Sequence, residues 1–218
     1  MSSSIPDLVY TITVWAIPVL FAITLHEAAH GWVANKLGDP TAKNLGRITI
    51  NPIKHIDPMG TVVVPIFLAM VSGFIMGWAK PVPVDARYFK SPLLDMALVA
   101  VAGPASNFIM ACFWAMFIQL AAALLPVSHL LVFLADVGEK GIYINVILMV
   151  LNLLPIPPLD GGRVVTGILP PAIAVQYMRL ERFGMLIILL LLVSGLLGKI
   201  LWPLVLHFVK LISTIFGL

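Results

Sequence analysis

The residues His26-Glu27-Ala28-Ala29-His30 place two imidazoles four positions apart, with a carboxylate directly after the first. On a helix this spacing stacks both rings on one face, a turn apart, close enough to share one Zn²⁺. Glu27 then stands beside the metal as a general base. The same five residues also occur by chance in ordinary helices, so the setting has to decide. No Asp, Glu, Lys or Arg lies between Asp7 and Glu27. Ionisable groups at the end of so apolar a helix cost several kcal/mol unless they are paired or metal-bound, which favours a site.

A second unusual stretch runs Asn152-Leu153-Leu154-Pro155-Ile156-Pro157-Pro158-Leu159-Asp160-Gly161-Gly162. Its prolines cannot continue an α-helix, so the backbone must unwind at the end of an apolar window. Non-helical backbone at membrane depth is tolerated where it is buried in protein or lines a watery cavity. Asp160 therefore has a polar home, either in a site or as the N-cap of a helix beginning near Gly162.

Together the two stretches resemble the site-2 protease family of intramembrane zinc metalloproteases. That family pairs H-E-x-x-H in one transmembrane helix with N-x-x-P-x-P-x-L-D-G in a later one, and residues 152–161 fit the second pattern without a gap. Ala102-Gly103-Pro104-Ala105-Ser106-Asn107 is similar to the A-G-P-x-x-N element that opens a core helix in many members. The resemblance covers most of residues 8–163. It implies His26, His30 and Asp160 as ligands of one Zn²⁺ and Glu27 as catalytic base. It also implies Asn152 and Asn107 as polar groups near the substrate or its oxyanion. The chain leaves no room for a PDZ or CBS domain, so selection or sensing by such a domain is not expected.

The elements that must position these residues are membrane helices. The 218 residues are 61% hydrophobic and 11% charged, with a mean hydropathy of +1.06, the composition of an integral membrane protein. A net charge of +3 with scattered basic residues excludes nucleic-acid binding as a reading. The single cysteine, Cys112, excludes a disulfide framework or a Cys-type zinc site within the chain. Met1 to Asp7 lack the positive region of a secretory signal, so the first apolar run reads as a retained helix.

Charge-free windows at residues 8–26, 58–79, 96–135, 141–159, 183–198 and 200–209 give four to six membrane segments. The third is long enough for a span plus an exposed turn near Pro126–His129. The expected fold is an all-α, polytopic helical bundle forming one domain over 1–218. Its catalytic core is about 8–163, with three transmembrane helices, and its C-terminal helices are about 183–217. Arg47-Ile48-Thr49-Ile50 alternates like a short strand. Lys80-Pro81-Val82-Pro83-Val84-Asp85 reads as extended backbone, able to accept a substrate strand or simply a stiff loop. His55 could approach the site, but a surface position at a turn is the favoured reading. His129 reads as loop, and the five tryptophans as interface anchors or packing.

Topology follows from joining metal geometry to charge. Asp160 must reach the depth of His26 and His30, so the first and fourth windows should run in the same direction. One full crossing between them suffices, and residues 58–79 should therefore enter and leave on one side. Lys36, Lys43, Arg47, Lys54, Lys80, Arg87, Lys90, Arg163, Arg179 and Arg182, 10 of the 13 Lys and Arg, then share that side. By the positive-inside rule it is the cytoplasm, in the cell's inner membrane. The expected partners are a membrane-protein substrate and the lipid bilayer, with oligomeric state left open. A zinc or proton transporter is the rival, since intramembrane His and Asp also line ion paths. Transport, however, needs no glutamate after the first histidine.

Overall fold

The computed structural model describes residues 5–63 and 80–218. Helix α1 (Ile5–Lys36) is followed by a short α2 (Thr41–Asn44), a 3-10 turn at Pro52–Lys54 and a π-turn at Pro58–Val63. Another 3-10 turn at Ala86–Tyr88 leads into α3 (Pro92–Leu124) and α4 (His129–Asn152). After the proline-rich turn come α5 (Asp160–Ile168), α6 (Pro171–Met178), α7 (Glu181–Val193) and α8 (Leu196–Phe216). Most of the expected re-entrant segment, residues 64–79, lies outside the described residues. Its two flanks are described and meet: the Lys80 N–H donates to the His55 carbonyl at 2.9 Å.

Three described helices are long and apolar enough to cross a membrane: α1 from Val9, α3 and α8. Helix α4 is longer than α8 but carries Asp136, Glu139 and Lys140. For this reason the charge-free window at 141–159 places its start too late. Asp136 accepts the Tyr10 hydroxyl of α1 at 2.5 Å, and Lys140 lies 3.3 Å from Glu139 in α4 itself, so these charges are partnered. His129 is its first residue, not loop. The turn expected near Pro126–His129 separates α3 from α4. The 13 residues of α7 rise only about 20 Å, short of a bilayer's hydrocarbon thickness.

Contacts fix the helix directions. Tyr10 meets Asp136 near the starts of α1 and α4, and Asp160, just beyond the end of α4, meets His26 and His30 near the end of α1. The two helices therefore run parallel, the direction expected from the sequence. Helix α3 opposes them, its Val99 carbonyl meeting His30 and Asn107 meeting His26.

In lipid there is little hydrophobic drive to join helices, so close packing and polar contacts must do it. On α1 every fourth residue from Val14 is buried: Val14, Pro18, Ala22, His26, His30 and Ala34. The two histidines are thus part of the stripe that packs on α3 and α4. Glycine at 141 lets the Trp114 indole lie against the backbone of α4, where a Cβ would collide with it. Helix α8, generic membrane helix by sequence, adds fully buried Val205 and Ile212 to this core.

No strand forms among the described residues, and the expected strand at 47–50 is a series of bends. A strand needs a neighbour to fill its ladder, and here side chains take the backbone groups instead. The Thr49 carbonyl accepts from His55 Nε2 at 3.0 Å, and the Thr49 hydroxyl accepts the Asn51 N–H. His55 is 1% exposed, not a surface residue. Arg47 Nη2 donates to the Lys80 carbonyl at 2.8 Å, and Asp39 Oδ2 accepts the Asp85 N–H at 2.7 Å. Residues 37–57 and 80–91 are thereby interlocked in a clasp at the histidine end of α1.

Candidate metal centre

The helical stripe delivers both imidazoles, and their outer nitrogens decide their protonation. His30 Nδ1 lies 2.7 Å from the Val99 carbonyl, which can only accept, so this nitrogen carries the proton. His26 Nδ1 lies 2.6 Å from Asn107 Oδ1. The Asn107 amide nitrogen already donates to the Ala22 carbonyl at 3.2 Å and to Asn145 Oδ1 at 2.9 Å, so its oxygen faces the ring and His26 Nδ1 is again the donor. In the neutral form of either ring, Nε2 is then left with a lone pair.

Those lone pairs converge. His26 Nε2 and His30 Nε2 are 3.0 Å apart, and Asp160 Oδ2 lies 3.2 and 3.3 Å from them. Leu159 is the N-cap of α5 and Asp160 its first residue, and the Asp160 carboxylate turns to the histidines, with no hydrogen bond to a backbone amide among those described. All three residues are buried, and Asp160 Oδ2 has no hydrogen-bond partner. Three atoms with lone pairs this close repel one another unless a proton or a metal cation sits among them. Two nitrogens and one carboxylate oxygen suit zinc with an open position. Gly103 completes the cradle: a Cβ there would overlap Nε2 of both histidines, so α3 can approach the centre only through glycine.

Glu27, one residue along α1, is held from the clasp. Its Oε2 accepts the Val82 N–H at 2.8 Å. In Pro81-Val82-Pro83 the flanking residues have no N–H, so Val82 supplies the segment's one donor and directs it to Glu27. Asn152 ends α4, and its amide donates to the Leu148 carbonyl at 3.0 Å, one turn back. Among the described hydrogen bonds it makes none to His26, His30 or Asp160. Asn107 lies behind His26, on the side away from the converging Nε2 atoms. Sequence reasoning missed Asn145 and the Val82 amide. An amide side chain in the middle of the apolar window 141–159, well before the motif asparagine Asn152, was the available signal for Asn145. For Val82 the only signal was the proline on either side.

Residues 127–195, which carry the proline-rich turn and Asp160, match the family profile described as Peptidase family M50. The chain is 40% identical over 190 residues to "Putative zinc metalloprotease YwhC" of Bacillus subtilis, spanning 86% of this chain and 83% of that protein. The chain belongs to peptidase family M50. It is also 30% identical over 192 residues to "Putative zinc metalloprotease Rip2" of Mycolicibacterium smegmatis, spanning 87% of this chain and 70% of that one. No solved structure matches it. M50 membership makes the chain an integral-membrane zinc metalloendopeptidase, and the transporter alternative falls away.

Proposed function

We propose that this M50 peptidase hydrolyses peptide bonds of membrane-spanning or membrane-associated proteins, as in regulated intramembrane proteolysis. His26, His30 and Asp160 hold the zinc and Glu27 is the general base. The observation that carries the reading is the convergence of two imidazole Nε2 atoms and a buried carboxylate oxygen, with the Glu27 carboxylate on the residue after His26. Bound zinc supplies Lewis acidity and lowers the pKa of a water towards about 7.

The chain's own groups do the rest. His26 and His30 keep Nε2 available because Asn107 and the Val99 carbonyl hold the protons on Nδ1. The Val82 amide fixes Oε2 of Glu27, leaving Oε1 to take the proton of the attacking water and return it to the leaving amine. The two clasped loops cover this end of α1. Beside it, between α1 and α3, an apolar groove of about 780 Å³ is floored by Ala28 and Ala29 and walled by Ile48 and Ile109. Small floor residues next to the base suit a peptide that has lost its helical bonds, as a membrane helix must before attack. Asn152, at the end of α4, is assigned to the substrate side.

Glu27→Gln should abolish release of fragments from membrane proteins while zinc stays bound. Comparing membrane-fraction proteomes of wild type and variant identifies the fragments, and full cleavage by the purified variant would overturn the assignment. The site opens to the cytoplasmic face of the inner membrane, supported by the basic residues gathered at the histidine end and by the meeting of His55 and Lys80. Single cysteines at Lys43 and Arg87, in a Cys112→Ser background, should both resist an impermeant reagent in spheroplasts. Labelling of either overturns this orientation.

A further inference from the structure

Helix α4 contributes no ligand to the metal centre, yet its Asn145 is fully buried and joined to it through one intermediary. Asn145 Nδ2 donates to the Gly141 carbonyl at 2.8 Å, which turns its oxygen outward to accept from Asn107 Nδ2 at 2.9 Å. Asn107, also fully buried, is thereby left with only its oxygen for His26 Nδ1, at 2.6 Å. We propose that Asn145 is a positioning residue for the metal centre: by fixing which way the Asn107 amide faces, it sets the His26 tautomer that leaves Nε2 free to bind zinc.

The argument is one of satisfiability. An amide has two faces of nearly equal shape, and a reversed Asn107 would point its NH₂ at His26 Nδ1. The ring would then place its proton on Nε2, where a metal has to bind. Reversal would also set the Asn107 oxygen against two acceptors, the Asn145 oxygen and the Ala22 carbonyl. Ala22 alone gives Asn107 one acceptor, and Asn145 provides the second that uses up both amide protons. Without Asn145 the buried Asn107 loses that partner, and the reversed amide becomes accessible. The chain Gly141–Asn145–Asn107–His26 crosses three helices and ends at a ligand, the arrangement by which outer groups tune metal affinity.

This inference rests on the zinc reading above, so the test begins with wild-type full-length protein in detergent, titrated with zinc against a chelator. Failure of the wild type to bind zinc would overturn the metal assignment itself. Given binding, Asn145→Leu, which removes the acceptor while keeping the number and branching of side-chain heavy atoms, should weaken zinc affinity about 10- to 100-fold. The decisive arm is Asn107→Asp/Asn145→Leu. A carboxylate at 107 accepts from His26 Nδ1 whichever way it turns, so loss of Asn145 should cost little in that background. Zinc affinity of the double variant should lie within about threefold of Asn107→Asp alone, a coupling that a packing role would not produce. If the leucine variant does not fold, Asn145→Ala carries the same comparison. Wild-type affinity in the single variant, or an equal loss in both backgrounds, overturns the proposal.

Discussion

Two buried polar clusters meet at the end of α1, and they are built differently. The metal-facing cluster of His26, His30, Asp160, Asn107 and Asn145 consists of side chains on helices, bonded mainly to one another and to helical carbonyls. The clasp of Asp39, Arg47, His55 and Val82 instead bonds side chains to loop backbone, or backbone to Glu27. Helices in lipid must satisfy their own amides, which leaves their side chains free to meet. Loops have spare backbone groups and spend side chains on those. On the proposed function the first cluster would hold the cation and the second would aim the base, so damage to each should register in a different measurement.

The widest separation is expected from Asp160→Ala. Losing one of three protein ligands should drop zinc affinity by about 100-fold or more and remove cleavage with it. Chelator competition on purified protein measures the first, and fragment release in membranes the second. Unchanged zinc with lower thermal stability would mean that Asp160 serves its helix after all. That outcome would dissolve the metal-facing cluster as a unit.

The same division explains what was legible in the sequence. His26, Glu27 and His30 could be read because a helix turns sequence spacing into spatial adjacency, and the prolines before Asp160 announced an unwound turn. Parallel α1 and α4 followed from requiring Asp160 to reach the histidines. Asn107 was seen, but not that its oxygen is taken by His26 Nδ1, because this depends on Asn145 one helix away. His55 was placed on the surface because nothing in its neighbours foretells that the loop folds under Lys80. The strand expected at 47–50 failed for a related reason: alternation gives a face, but only a partner strand gives a ladder, and Arg47 and His55 took those roles. The start of α4 was set late because counting charges cannot reveal that Tyr10 awaits Asp136.

A smaller and more selective effect is expected from Val82→Pro, which deletes the one N–H that holds Glu27. A hydrogen bond to a charged group is worth about 1.5–3 kcal/mol, so the turnover of released fragment should fall about 10- to 100-fold. Zinc affinity should stay at the wild-type value, because no ligand is touched. Parallel loss of zinc would mean that the clasp supports the metal as well as the base, and the two clusters would have to be treated as one.

The smallest effect should come from the rim of the clasp, where Asp85 and Arg87 form an ion pair at 2.5 Å with the guanidinium mostly in water. Hydrogen bonds from the Arg87 side chain and backbone hold the Asp85 carboxyl down at about 2, against an ordinary 3.8. A folded-state value below the unfolded one means that the charge favours the fold above the unfolded value. That contribution is lost as pH falls from about 4 through about 2. Asp85→Asn keeps an oxygen for the Arg87 N–H and removes only the charge. At neutral pH and low salt its apparent unfolding temperature should therefore sit only about a degree or two below wild type. Scanning calorimetry at a fixed rate should find the two proteins converging below pH 2, and also in about 0.5 M salt at neutral pH, where exposed charges are screened. A difference that survives salt would place the pair in a far less watery setting than its exposure implies. The clasp would then extend its buried character to the rim, and the contrast with the metal-facing cluster would narrow.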